Sequence, residues 1–192
     1  MKKRLLVIAV ISVMLLTLCS CEFKLPKIKK KIPEVESVTF SDTDINFLNT
    51  KHLDSAVDVQ NSLIENTSFI NDLYKIANKY RQDSDKDILE FNSSLSIIAT
   101  IRAQEIAKSG KFSHHRPDNK GYFSTLYQEY GFTSGNAGEN IVKATSAEEA
   151  LNKWQNSSSH NACILNNGWL KTGIGIAEME NGTYIWVQEF AS

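Results

Sequence analysis

The chain has 192 residues, a formal net charge of -1, 42% hydrophobic and 22% charged residues. That composition excludes a disordered, collagenous or integral membrane protein, and the length suits one domain with appendages. The charge is uneven: residues 1–31 hold eight Lys or Arg against one acidic residue, residues 32–67 one against seven, and the remainder twelve against fourteen. The near-neutral third block has no basic stripe interleaved with aromatics, which excludes a nucleic-acid surface.

Met1-Lys2-Lys3-Arg4 followed by the apolar run from Leu5 to Leu18 has the form of an export signal, with an h-region too short to span a membrane comfortably. The run ends in Leu18-Cys19-Ser20-Cys21, which resembles a bacterial lipobox. That resemblance implies a signal peptide over residues 1–20 and a diacylglyceryl group on Cys21 as the mature N-terminus. The plainer alternative is a secretory signal cut near the same place. After lipidation only Cys163 remains, so no intramolecular disulfide can form and the domain must stand on its core.

Residues 21–67 read as a tether, first Lys-rich (Lys24, Lys27, Lys29, Lys30, Lys31) with Pro26 and Pro33, then acidic and without periodicity. Lysines beside an anionic membrane each gain about 1 kcal/mol from the headgroups, so the stretch is either surface-lying or a solvated spacer. The ordered domain is expected over residues 68–192. Phe69, Ile70, Leu73, Ile76, Ala77 and Tyr80 recur on one face of a first helix. A second helix, capped by Ser93 or Ser94 and closed by Gly110, carries Leu95, Ile98, Ala99, Ala103, Ile106 and Ala107. A short third helix is expected from Tyr122 to Tyr130, stopped by Gly131, and Ser146 with Glu149 forms a capping box for a fourth that carries Ala147, Ala150, Leu151 and Trp154. The period then changes to two. Thr172 to Met179 and Tyr184 to Phe190 flank Asn181-Gly182 as a β-hairpin. Helices first and paired strands last argue for α+β, with helices covering a small antiparallel sheet.

Several stretches occur in an order that resembles the cysteine-rich secretory protein, antigen 5 and pathogenesis-related (CAP, or SCP) superfamily: Asn78-Lys79-Tyr80-Arg81, FSHHRPDN at 112–119, GEN at 138–140, WQNSSSHNACIL at 154–165, and TGIGIA at 172–177. The resemblance implies an α-β-α sandwich. It also implies a cleft lined by His114, Glu139 and His160. The family's fourth, acidic position is Ser157, and Cys163 stands where an Asn is usual.

Two imidazoles and a carboxylate in one cleft can bind a divalent metal such as zinc, shuttle a proton, or hydrogen-bond one another, and the sequence leaves these open. His115 is a worse candidate, since the motif has a non-ligand residue there. Ser157, Ser158 and Ser159 beside His160 lack a G-x-S-x-G elbow and read as capping. Cys163 could form a thiolate with His160 but reads better as a small buried residue. Trp154, Trp169 and Trp186 read as core or cleft-wall residues rather than a carbohydrate platform. The expectation is a lipid-anchored, monomeric binding protein displayed outside the cell membrane, which recognises a lipid, a wall polymer or another protein. The alternative is a metal-assisted hydrolase with Glu139 as base.

Overall fold

A computed structural model describes residues 37–40 and 53–192, so the signal-like run, Cys21 and the Lys-rich stretch lie outside the described residues. The elements in chain order are α1 (Leu53–Glu65), α2 (Thr67–Asp83), β1 (Glu90–Phe91), α3 (Ser93–Ser109), α4 (Thr125–Glu129), β2 (Ala137–Ala144), α5 (Ala147–Gln155), α6 (Ser158–Ile164), β3 (Lys171–Glu178) and β4 (Tyr184–Ala191). The four strands form one sheet in the order β1-β3-β4-β2. Its three long strands are antiparallel, as expected, and the two-residue β1 adds a parallel pairing to Lys171 and Thr172 of β3.

The alternation along β3 and β4 decides how the layers stack. Ile174, Ile176, Trp186 and Phe190 face one core with α2 and α5, whose Ile70, Leu73, Ala150 and Trp154 are buried. Ala177, Ile185 and Val187 face the other, against Ala99, Ala103 and Ile106 of α3. The glycines of TGIGIA make the second interface possible. A Cβ on Gly175 would lie 2.0 Å from the backbone nitrogen of Thr100, and one on Gly173 would lie 2.2 Å from that of Ser96. The helix backbone therefore rests directly on the strand, a contact that any side chain would break.

Local signals act as the sequence suggests, with two shifts of detail. The cap of α3 is Asn92, whose Oδ1 accepts from Leu95 N at 2.9 Å, and Gly110 closes the helix at φ 68°. Ser146 accepts from Glu149 N at 3.2 Å, while the Glu149 carboxylate reaches past it to Thr145 N at 2.7 Å. The Asn-Lys-Tyr-Arg stretch pins α2 in place. Asn78 exchanges two hydrogen bonds with the Leu89 backbone, Tyr80 donates to Asn161 Oδ1 at 2.9 Å, and buried Arg81 donates to the carbonyls of Asp87, Ile164 and Asn166.

The tether expected over 21–67 is corrected for its described parts. Residues 53–65 are a helix whose Ala56, Val59 and Leu63 are core residues, and Val38 is buried too, with its backbone paired to the Asn71 side chain. The reason lies at the sheet edge. β1 covers only the first two residues of β3, and the remaining edge would leave a row of backbone groups open to strand addition. α1 packs there, with Ser62 Oγ donating to Ile176 O at 3.1 Å. Leu63→Ala should therefore cost about 2–5 kcal/mol and lower Tm in a calorimetric melt, whereas Ile64→Ala, at a position 55% exposed, should leave Tm nearly unchanged. A chain begun at Asn66 should melt broadly and early; a sharp melt at the full-length Tm would return α1 to the tether.

Candidate functional site

The site forms where both helical layers meet the sheet at β2. Two side chains, Arg102 and His114, converge on Glu139, whose side chain is fully buried on β2. Arg102, equally buried on α3, donates Nε to Glu139 Oε2 at 2.9 Å. The same guanidinium donates to the carbonyl of Ser113, and so fixes the loop that carries His114. His114 Nδ1 lies 2.7 Å from Glu139 Oε1, while the imidazole stays 37% exposed. A carboxylate accepts at that distance, so Nδ1–H donates and the tautomer is set. Nearby, Arg116 holds the loop from the other side through a forked contact to Glu105 and a bond to Glu129.

His160 arrives from the opposite layer. It stands in α6, tied to β2 by Asn140 Nδ2 donating to its carbonyl at 3.1 Å, and its Nδ1 shares a 2.7 Å hydrogen bond with Ser157 Oγ. Burial lowers its pKa, and the nearby charge of His114 lowers it further, so the two imidazoles are within electrostatic reach. Among the described residues no protein group bonds either Nε2. Ser157 thus occupies the expected acidic corner by holding the imidazole.

Gly138 has a specific task beside Glu139. A Cβ there would lie 2.7 Å from the Trp169 ring and 3.3 Å from Cys163 Sγ. Trp169 in turn stacks on Phe190 and donates Nε1 to the Cys163 carbonyl at 2.9 Å. The Cys163 thiol is pushed up to about 12, first by burial and then by Glu189, which argues against a thiolate. Trp154 and Trp186 are fully buried and Trp169 nearly so, all three in the core.

Among the described residues no three His, Cys, Asp or Glu side chains are placed to hold a cation. Both Glu139 oxygens are engaged and each histidine Nδ1 is taken, which leaves Nε2 of each ring as the unused donor atom.

Sequence reasoning missed a second carboxyl. Glu189 on β4 is the cross-strand partner of Glu139 and is completely buried. Tyr127 OH donates to its Oε2 at 3.0 Å, and no donor faces Oε1. Burial first, then Glu139, raises its pKa well above the ordinary carboxyl value. A protonated Glu189 resolves both facts, because Oε1 then carries the proton and can donate toward Glu139. The sequence held a signal for Arg102 and Glu189: each is a charge at a position whose periodic neighbours (Ile98, Ala99 and Ile106; Ile185 and Val187) all face the core.

Because the fold raises the Glu189 pKa above its value in the unfolded chain, its contribution to stability is complete below the ordinary carboxyl value. It falls as pH rises toward the raised one. His160 works in the opposite sense, since its lowered pKa removes stability as pH falls below the ordinary imidazole value. Glu189→Gln should therefore melt close to the parent in mildly acidic buffer and increasingly above it toward alkaline pH. A constant Tm difference across that range would show that Glu189 is ionised in the fold.

The comparisons with known proteins agree with this architecture. An extracellular protein containing an SCP domain from Bacillus anthracis superposes with a TM-score of 0.60 at 22% identity, over 65% of this chain and 40% of that one. An outer surface protein of Borrelia burgdorferi gives 0.61 at 18% identity, over 66% of this chain and 94% of that one. A cysteine-rich secretory protein from Staphylococcus aureus gives 0.53 at 20% identity, over 65% and 38%. The match therefore spans well under half the length of the Bacillus and Staphylococcus proteins. No curated protein matches the chain. The family model described as the cysteine-rich secretory protein family matches residues 74–190, a span that includes every side chain of the site, and the chain belongs to that CAP family.

Proposed function

We propose that the protein is an exported, lipid-anchored binding module that presents the His114–Glu139–His160 cleft to a ligand outside the cell. The observation that carries this reading is the half-exposed His114 imidazole, held through Nδ1 by a carboxylate that is itself held by a buried arginine. Such a chain fixes the ring without consuming Nε2. With Nδ1 protonated, the neutral ring offers Nε2 as an acceptor, and an imidazolium offers it as a donor. Held by Ser157, the His160 ring adds a second free Nε2 nearby.

The same geometry disfavours Glu139 as the base of the hydrolase alternative. That alternative takes Glu139 as its base, and both Glu139 oxygens are already engaged. The neutral Cys163 thiol offers no activated nucleophile. Native mass spectrometry of protein purified without chelator should find a bound small molecule that His114→Ala and His160→Ala both lose with little change in Tm. Turnover of peptide, ester or peptidoglycan substrates abolished by the same variants would overturn the reading.

Placement outside the cell rests on the signal-like N-terminus and on the relatives described as extracellular or outer surface proteins. Among the described residues no helix is long and apolar enough to cross a membrane, and the proposed attachment is through Cys21. Cys21→Ala should move the protein from the membrane fraction to the soluble one, since Lys-rich adhesion alone is weak and salt-sensitive. Retention of the variant after a high-salt wash would refute the lipid anchor.

A further inference from the structure

Beside the cleft lies a groove of about 610 Å³, between α4 and the segment 131–137 that leads into β2. Its size falls within the roughly 300–1,000 Å³ typical of ligand sites. Its lining has an unusual balance. Although 22% of the chain is charged, none of the lining residues is. Instead the groove combines aromatic rings with neutral hydrogen-bonding groups.

Tyr122 is the most exposed of those rings, at 44%. It is nonetheless held in place, packed at 4.8 Å on Phe123 and edge-on to His115 at 5.2 Å, with a backbone bridge between His115 and Tyr122. Phe132 stands across the groove, half-buried and edge-on to Tyr127 at 5.4 Å. Gln128, at the exposed end of α4, and Thr133 have side chains that bond no other described residue. A fixed exposed ring loses little entropy when a ligand covers it.

We propose that this groove binds a neutral saccharide chain. A hexopyranose has an apolar C–H face that packs on an aromatic ring and a rim of hydroxyls that needs donors and acceptors together. Amide and hydroxyl side chains supply both. A lipid tail would leave those polar groups dry and unpaired, and the uncharged lining gives a phosphate or nucleic acid no counter-charge. The Tyr122 ring lies 6.2 Å from that of His114, so a chain seated on Tyr122 would run toward the cleft.

The test is titration calorimetry and saturation-transfer NMR on the purified full chain, with the β-1,4 hexamers of N-acetylglucosamine and of glucose as probes. At least one hexamer should bind. Tyr122→Ala should weaken binding about tenfold at an unchanged Tm, and Tyr122→Trp should retain it. Gln128→Ala should weaken it as well, at a position too exposed to disturb the fold. Absence of binding to both hexamers at millimolar concentration, or equal binding by Tyr122→Ala and the parent, would overturn the proposal. Either failure would leave the cleft reading standing, since that one is judged on His114 and His160.

Discussion

The buried pair between Arg102 and Glu139 is the contact on which the rest of the site depends. Each charge is removed from water, a cost that a salt bridge alone rarely recovers and that further hydrogen bonds must offset. Those further bonds are the ones that build the site. Arg102 also donates to the Ser113 carbonyl, and Glu139 also accepts from His114. One guanidinium thus positions the imidazole twice, through the backbone beside it and through its carboxylate partner. Removal of Arg102 would leave Glu139 facing Glu189 with no cation between α3 and β2, and the His114 loop would lose its inner support.

The second carboxyl makes that dependence sharper. Two acidic side chains directly opposite on neighbouring strands repel if both ionise, and the fold answers with a cation against one and a pKa raised well above the ordinary carboxyl value on the other. Arg102 serves Glu139, and Glu189 accepts from Tyr127. An apolar pair would pack with less penalty, so stability alone does not account for these residues. What they provide is a rigid, polar floor under a half-exposed histidine.

The parts of the fold that were legible in the sequence are those set by local chemistry. Asn181-Gly182 marked the hairpin, Gly110 and Gly131 ended helices, and Ser146 began one, because each acts within a few residues of itself. The helix α1 was not legible for a physical reason. Its core residues Ala56, Val59 and Leu63 are interleaved with Val57 and Ile64, which are more than half exposed, so its apolar face is blurred. Asp, Asn, Ser and Val also depress its helix propensity. It forms because the open edge of β3 needs a cover, and that need appears only in three dimensions. The site was half legible in the same sense. The family resemblance pointed to His114, Glu139 and His160, while Arg102 and Glu189, which hold the arrangement together, come from positions that resemble ordinary core sites.

Much of what the recognisable motifs encode is attachment. Asn78, Tyr80 and Arg81 bind backbone and side chains of the loop before β1 and of α6, and Arg116 clamps its loop to α3 and α4. The glycines of TGIGIA set the spacing between helix and strand, and Gly138 seats Trp169. These tasks recur wherever the same layers stack, whatever ligand is bound, so such motifs report the fold far more reliably than the chemistry. Chemistry is decided by fewer side chains, and here those depart from the expected pattern: Ser157 holds an imidazole in place of a carboxylate, and a second carboxyl, Glu189, is buried behind Glu139 with its pKa raised. The arrangement joins one engaged carboxylate to two imidazoles whose Nε2 atoms are left for hydrogen bonding. The uncharged aromatic groove beside it extends that surface without adding a reactive group.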